Sequence, residues 1–191
     1  MESQGVAFVG IKDRMSSRMD MQRPTDERLG IQGFITWELF DEFGNLKQSG
    51  IEKNIITEVG DRYYGERAAN IASPPSQVTG MQLGTGTTAP AKSGTGSALV
   101  TLVTASLVAI DGGFPTSALV TGRRRIQWKT TWGAGVATAN NIAEVVLVNQ
   151  ATATQTAAPI ANTIARALLA PVANKTAADT LSVTWNHDLG T

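Results

Sequence analysis

Leu83-Gly84-Thr85-Gly86-Thr87-Thr88-Ala89-Pro90 is where a nucleotide-binding α/β reading and an all-β reading part company. Gly84 to Ala89 fits the loose form G-x-G-x-x-G/A. That form cradles a pyrophosphate only when its glycine turn opens a helix whose first N–H groups meet the anion. Here Pro90 follows at once, then Gly94 and Gly96, so no helix begins. The fingerprint also wants an acidic residue about 20 positions on. The nearest, Asp111, sits in the turn signal Asp111-Gly112-Gly113. What remains is the end of an apolar strand, Val78–Leu83, followed by an ordered loop through Ser97. The glycines then serve tight turns or a close backbone approach at the rim of a sandwich.

Working outward from that loop, the chain reads as short strands separated by turn signals. Ile31 to Phe40 is the clearest strand: Ile31, Ile35, Trp37 and Leu39 share one parity, and Gln32, Thr36 and Glu38 take the other. Asp41–Asn45 is a turn, and Leu46–Ile51 returns as a hairpin arm. Asn54–Asn70 is the one predicted helix, with Thr57 as N-cap and Glu58 and Asp61 in its first turn. Beyond it, Ala98–Ile110 has strand composition and Ala118–Trp132 reads as one long alternating strand. Ile142–Val148 is apolar on both parities, the mark of an interior strand. Ala151–Ala158 is an Ala/Thr loop. Ile164–Val172 and Thr180–Asp188 read as a final strand pair. The expected fold is mainly β: an antiparallel β-sandwich, jelly-roll-like, with one short helix and an extended N-terminal arm. The arm spans residues 1–28 and the body 29–191.

Composition narrows the function classes. The 191 residues carry 16 basic and 16 acidic side chains, one histidine and no cysteine. Net neutrality gives no global pull toward nucleic acid or an anionic membrane. The missing cysteines exclude disulfides and thiolate chemistry. Met1–Gly5 lacks the basic-then-apolar order of a signal peptide. These features predict a soluble protein made in a cytoplasm. Of the 32 charged residues, 21 lie in positions 1–67. A surface so poor in charge thereafter suits a subunit covered by copies of itself or by a partner.

Within the arm, Phe8, Ile11, Arg14, Met15, Arg18, Met19 and Met21 are the candidate interface residues. Methionines there would act as adaptable anchors, and the competing reading is a disordered tail. No catalytic, cofactor or metal constellation emerges. His187 shares strand parity with Leu181, Val183 and Trp185, so it is expected to cap the apolar face. Asp188 then points to the opposite face and cannot orient it as a triad acid would. The pairs Asp26-Glu27 and Asp41-Glu42 read as solvated turn residues. In Arg123-Arg124-Arg125, Arg123 and Arg125 face outward with Lys129 and form the candidate body interface, while Arg124 falls on the apolar parity. A nucleic-acid patch would need more cations with aromatics on the same face.

Taken in order, Met81–Leu99 (MQLGTGTTAPAKSGTGSAL), Ile126–Gly135 (IQWKTTWGAG), Ile142–Val148 (IAEVVLV) and Ala165–Trp185 (ARALLAPVANKTAADTLSVTW) resemble a group of tailed-bacteriophage virion structural proteins. That group carries L-G-T-G-T-T-x-P and ends in K-T-x-x-D-T-L-x-V-T-W. The similarity runs from about Ile31 to His187. The resemblance implies a non-enzymatic β-sandwich subunit of the virion, without cofactor. The favoured role is an auxiliary capsid protein, of the cement or decoration kind, bound across major capsid protein junctions as a homo-oligomer such as a trimer. The alternative is a tail, baseplate or fibre-attachment protein. A carbohydrate-binding module is a third reading, which requires Trp37, Trp128 or Trp132 to be exposed as a stacking platform.

Overall fold

The computed structural model describes residues 30–190. The proposed arm, with Phe8, Ile11, Arg14, Met15, Arg18, Met19 and Met21, lies outside the described residues. Nine antiparallel strands form one curled sheet: β1 (Ile31–Phe40), β2 (Leu46–Ile56), β3 (Gly80–Gly84), β4 (Val108–Ala109), β5 (Thr116–Val120), β6 (Arg123–Trp132), β7 (Ala139–Val148), β8 (Thr163–Lys175) and β9 (Thr180–Leu189). One helix, α1 (Glu58–Ala68), joins β2 to β3. The spatial order is β4-β3-β7-β8-β2-β1-β9-β6-β5.

The sheet folds over on itself because β2 changes partners along its length. From Leu46 to Lys53 it pairs with β1, and from Asn54 to Ile56 it pairs with β8. This divides the molecule into a front sheet (β5-β6-β9-β1-β2) and a back sheet (β2-β8-β7-β3-β4). The opposite seam is closed by residues just after β4. Asp111 donates its N–H to Lys129 O at 2.8 Å and accepts from the Thr131 hydroxyl at 2.7 Å.

Strand alternation decides what faces inward. From the front come Ile35, Trp37, Leu39, Trp128, Trp132, Leu181, Val183 and Trp185; from the back, Met81, Leu83, Val145, Leu147, Ala165 and Ala167. These pack as one core. Trp37, Trp128 and Trp132 are 1%, 3% and 0% exposed, so none offers a sugar-stacking face.

The helix starts where its cap is, at Thr57, whose hydroxyl accepts the Gly60 N–H at 3.1 Å. The preceding residues, Asn54–Ile56, continue β2 rather than the helix, because they bond to β8. Three other expectations are corrected. Ala98–Ile110 is a loop except for the two residues of β4; Leu99, Leu102 and Leu107 cover a sheet face, while Val103 enters the central core. Ala118–Trp132 is two strands, because Thr121 and Gly122 both take positive φ (47° and 80°) and form a two-residue hairpin turn. β8 and β9 are not partners. β2 and β1 stand between them, so the Thr176–Asp179 connection carries the chain from the back sheet to the front.

Candidate interaction face and the buried polar sites

The Leu83–Pro90 loop does hold an anion, and the anion is the protein's own. Glu144 projects from β7 on the outer side of the back sheet. Its carboxylate accepts the backbone N–H groups of Gly86 (3.0 Å), Val100 (3.1 Å) and Thr101 (2.8 Å). Arg166 on β8 completes it, with Nε at 2.9 Å and Nη2 at 2.8 Å from Oε2. The third guanidinium nitrogen donates to Thr88 O at 2.7 Å and Gly96 O at 3.2 Å. Both side chains are 0% exposed. The glycines permit this approach: a Cβ on Gly86 would stand 2.5 Å from Glu144 Oε1, and one on Gly84 would strike the same oxygen and Thr101 O. A buried charge pair is tolerable only when its remaining donors and acceptors are satisfied, and this one is satisfied by the loop. It is a structural clasp.

The clasp belongs to a layer that seals the back sheet. Leu99, Leu107 and Ala158 from the covering loops pack on Val146 and Val148 as a second small core. Gln82 pins the layer through Thr156 O and the Ala158 N–H, both at 2.9 Å. Ser106 bonds both the N–H and the carbonyl of Leu83.

His187 is equally withdrawn from solvent, at 0% exposure. Trp185 Nε1, which can only donate, lies 3.0 Å from its Nε2. Nε2 therefore accepts, and the neutral ring carries its proton on Nδ1, which donates to the Tyr64 hydroxyl oxygen at 2.6 Å. Asn54 Nδ2 adds a second donor to Nε2 at 3.0 Å. Burial pushes the imidazole pKa down to about 3 against the opposing pull of Asp188, and burial raises that of Tyr64. The ring is a neutral core member joining β2, α1 and β9, with no nitrogen left for chemistry. Asp188 points away from it, as alternation requires.

The front sheet's outer face carries the predicted body interface. Arg125 grips Asp188 through Nε (2.7 Å) and Nη2 (2.8 Å) and lies over the Phe34 ring, 4.9 Å from its centroid. This hydrogen-bonded guanidinium holds the Asp188 carboxyl below its usual range. Arg123 donates to Gln32 Oε1 at 2.9 Å, and Lys129 sits across from Thr184. Beside them Ile51 is 72% exposed, next to Thr36 in register. Arg124 lies on the inner parity but at the strand end, where it is exposed. The structure thus brings Arg123, Arg125 and Lys129 to one face. Sequence reasoning missed Phe34 and Ile51 there, although their parity with Arg125's strand partners was the signal. It also passed over Glu144 and Arg166, each a lone charge inside an apolar run.

Among the described residues no group of three or more His, Asp or Glu side chains could hold a metal. Among the same residues no helix is long and apolar enough to cross a membrane. No protein-family model matches the chain, and no curated protein or solved structure matches it at a significant level.

Proposed function

We propose that the protein is a structural subunit of a tailed-bacteriophage virion, and specifically an auxiliary capsid protein that binds across major capsid protein junctions. The observation that carries this reading is the asymmetry of the sandwich. The back sheet is sealed by its own loops, whereas the front sheet presents a broad outer face on which no described element packs. That face mixes Phe34, Ile51, Arg125 and small hydroxyl side chains, the composition of a protein contact rather than of a reaction site. The only imidazole is spent on the core, and the motif order resembles that of virion proteins.

Quantitative mass spectrometry of purified particles tests the proposal. An auxiliary capsid protein is expected at hundreds of copies, in fixed ratio to the major capsid protein. A small multiple of three or six would move it to the tail or baseplate, and absence from washed particles would overturn a virion role.

A further inference from the structure

Where β2 leaves β1, the front sheet splits. β1 pairs with β2 no further than Phe34 opposite Lys53, yet continues beside β9 down to Ile31. β2 has meanwhile turned to β8 at Asn54–Ile56. The wedge left between them is a cavity of about 450 Å³, lined by Ile31, Phe34, Ile55 and Ile56, with Lys53, the Asp61-paired Lys92 and the Arg125-paired Asp188 as its charged walls. Phe34, Lys53 and Ile55 share the outward parity, so the cavity opens at the edge of the face that carries Ile51 and Arg125, where Lys92 of the covering loop meets it.

Charge is unevenly spread over that face. Among the described residues Lys53, Arg123 and Lys129 carry no ion pair, whereas Arg125 is neutralised by Asp188. The face's unpaired carboxylates, Glu38 and Asp111, lie toward its far end, in the row of Ser182 and Thr131. The cavity end is therefore basic around an apolar centre of Phe34, Ile51 and Ile55. Arg125, stacked on Phe34 and held bidentately, is pre-organised for contact.

We infer that this end of the front face docks an acidic protein surface from which one apolar side chain enters the wedge. The inference rests on the structural role proposed above and names the chemistry of its partner. Nucleic acid is the weaker candidate. Three unpaired cations around exposed aliphatic side chains do not form a phosphate track, and the Phe34 ring is already covered by Arg125. Carboxylates facing Lys53, Lys129 and Arg123 would steer association, and the inserted side chain would supply the desolvated centre on which affinity depends.

The test uses isotope-labelled full-length protein titrated at low salt with two peptides. One is hexaglutamate, and the other has the same length with a leucine in place of one central glutamate. Both should move the amide signals of Phe34, Ile51, Lys53 and Lys129, with shifts that fade as salt screens the charges. The leucine peptide should bind about tenfold more tightly through burial of its side chain. Ile55→Glu should erase that advantage, and Lys53→Glu with Lys129→Glu should weaken both peptides. Shifts elsewhere on the molecule, an unchanged leucine advantage in Ile55→Glu, or stronger binding to a short DNA duplex would each overturn the inference. Particle occupancy separates the two claims. Undiminished incorporation of the Lys53→Glu, Lys129→Glu protein overturns the docking face and leaves the virion role standing. Absence of wild-type protein from particles overturns the virion role, while the titration still decides the face.

Discussion

The two sheets of this sandwich solve the same problem in opposite ways. Each has an inner face buried in the shared core. The back sheet also buries its outer face, under loops that hold a charged pair, a glutamine and a serine in bonded positions. The front sheet leaves its outer face to solvent, with cations and aliphatic side chains side by side. Covering a β-sheet with irregular chain exposes the cover's backbone to a desolvation cost unless each N–H and carbonyl finds a partner. Glu144 and Arg166 meet that need by collecting three amides and two carbonyls between them. The lesson is that a glycine-rich loop which resembles a ligand cradle can be a lid closed on its own chain, here through Glu144 and Arg166.

This contrast can be broken most severely at the clasp. Glu144→Ala leaves a buried guanidinium and three orphaned amides, which should cost about 3–5 kcal/mol and loosen residues 85–101. Urea denaturation and limited proteolysis measure both effects. Replacing Glu144 and Arg166 together by apolar residues should recover part of the loss, since no buried charge is then left alone.

A second break uses pH. His187 titrates near 6.5 when unfolded and near 3 when folded, so between those values the unfolded chain binds the extra proton. Stability from this group is complete above pH 6.5 and declines as pH falls toward 3. The carboxylates Asp179 and Asp188, held below 3.8, add their losses only at the acid end. In His187→Phe, denaturation midpoints should lie lower throughout but lose most of their slope between pH 6.5 and 4.

Gly86→Ala is a smaller intrusion into the clasp. The new methyl collides with Glu144 Oε1 and should cost about 1–3 kcal/mol, again with proteolysis focused on the covering loop. On the front face the same kind of measurement should find little. Arg125→Ala loses a partly exposed ion pair worth at most about 1 kcal/mol, and Lys53→Glu should stay within about 0.5 kcal/mol. Large stability effects at the back and small ones at the front would sharpen the division between a sealed side and an open one.

Much of the fold was legible before any coordinates. The period-2 pattern of Ile31–Phe40, the double-sided apolar run of Ile142–Val148 and the Thr57 cap all took the forms expected of them. The phosphate-loop reading was excluded by Pro90, Gly94 and Gly96 and by the missing acidic residue, and no α-helix follows the loop. The failures share one cause, which is that local composition does not reveal partners. Leu99, Leu102 and Leu107 are as apolar as strand residues but serve as the underside of a cover, and Val103 enters the central core from the same loop. Thr121-Gly122 was a hairpin turn hidden inside an alternating run, because neither residue is among the strongest turn formers as a pair. The separation of β8 from β9 depends on β2 crossing between sheets, a long-range choice that no window along the chain contains. The candidate cations were legible as a face, whereas the wedge beside Phe34 was not, since it exists only because two strands part.

The most direct test is hydroxyl-radical footprinting of the free and particle-bound protein. If the front face docks, oxidation of Phe34 and Ile51 falls on assembly, while that of Ile71 and Ile160, exposed on the helix and back-sheet side, is unchanged. Protection of Ile71 and Ile160 with Phe34 and Ile51 still reactive would contradict it.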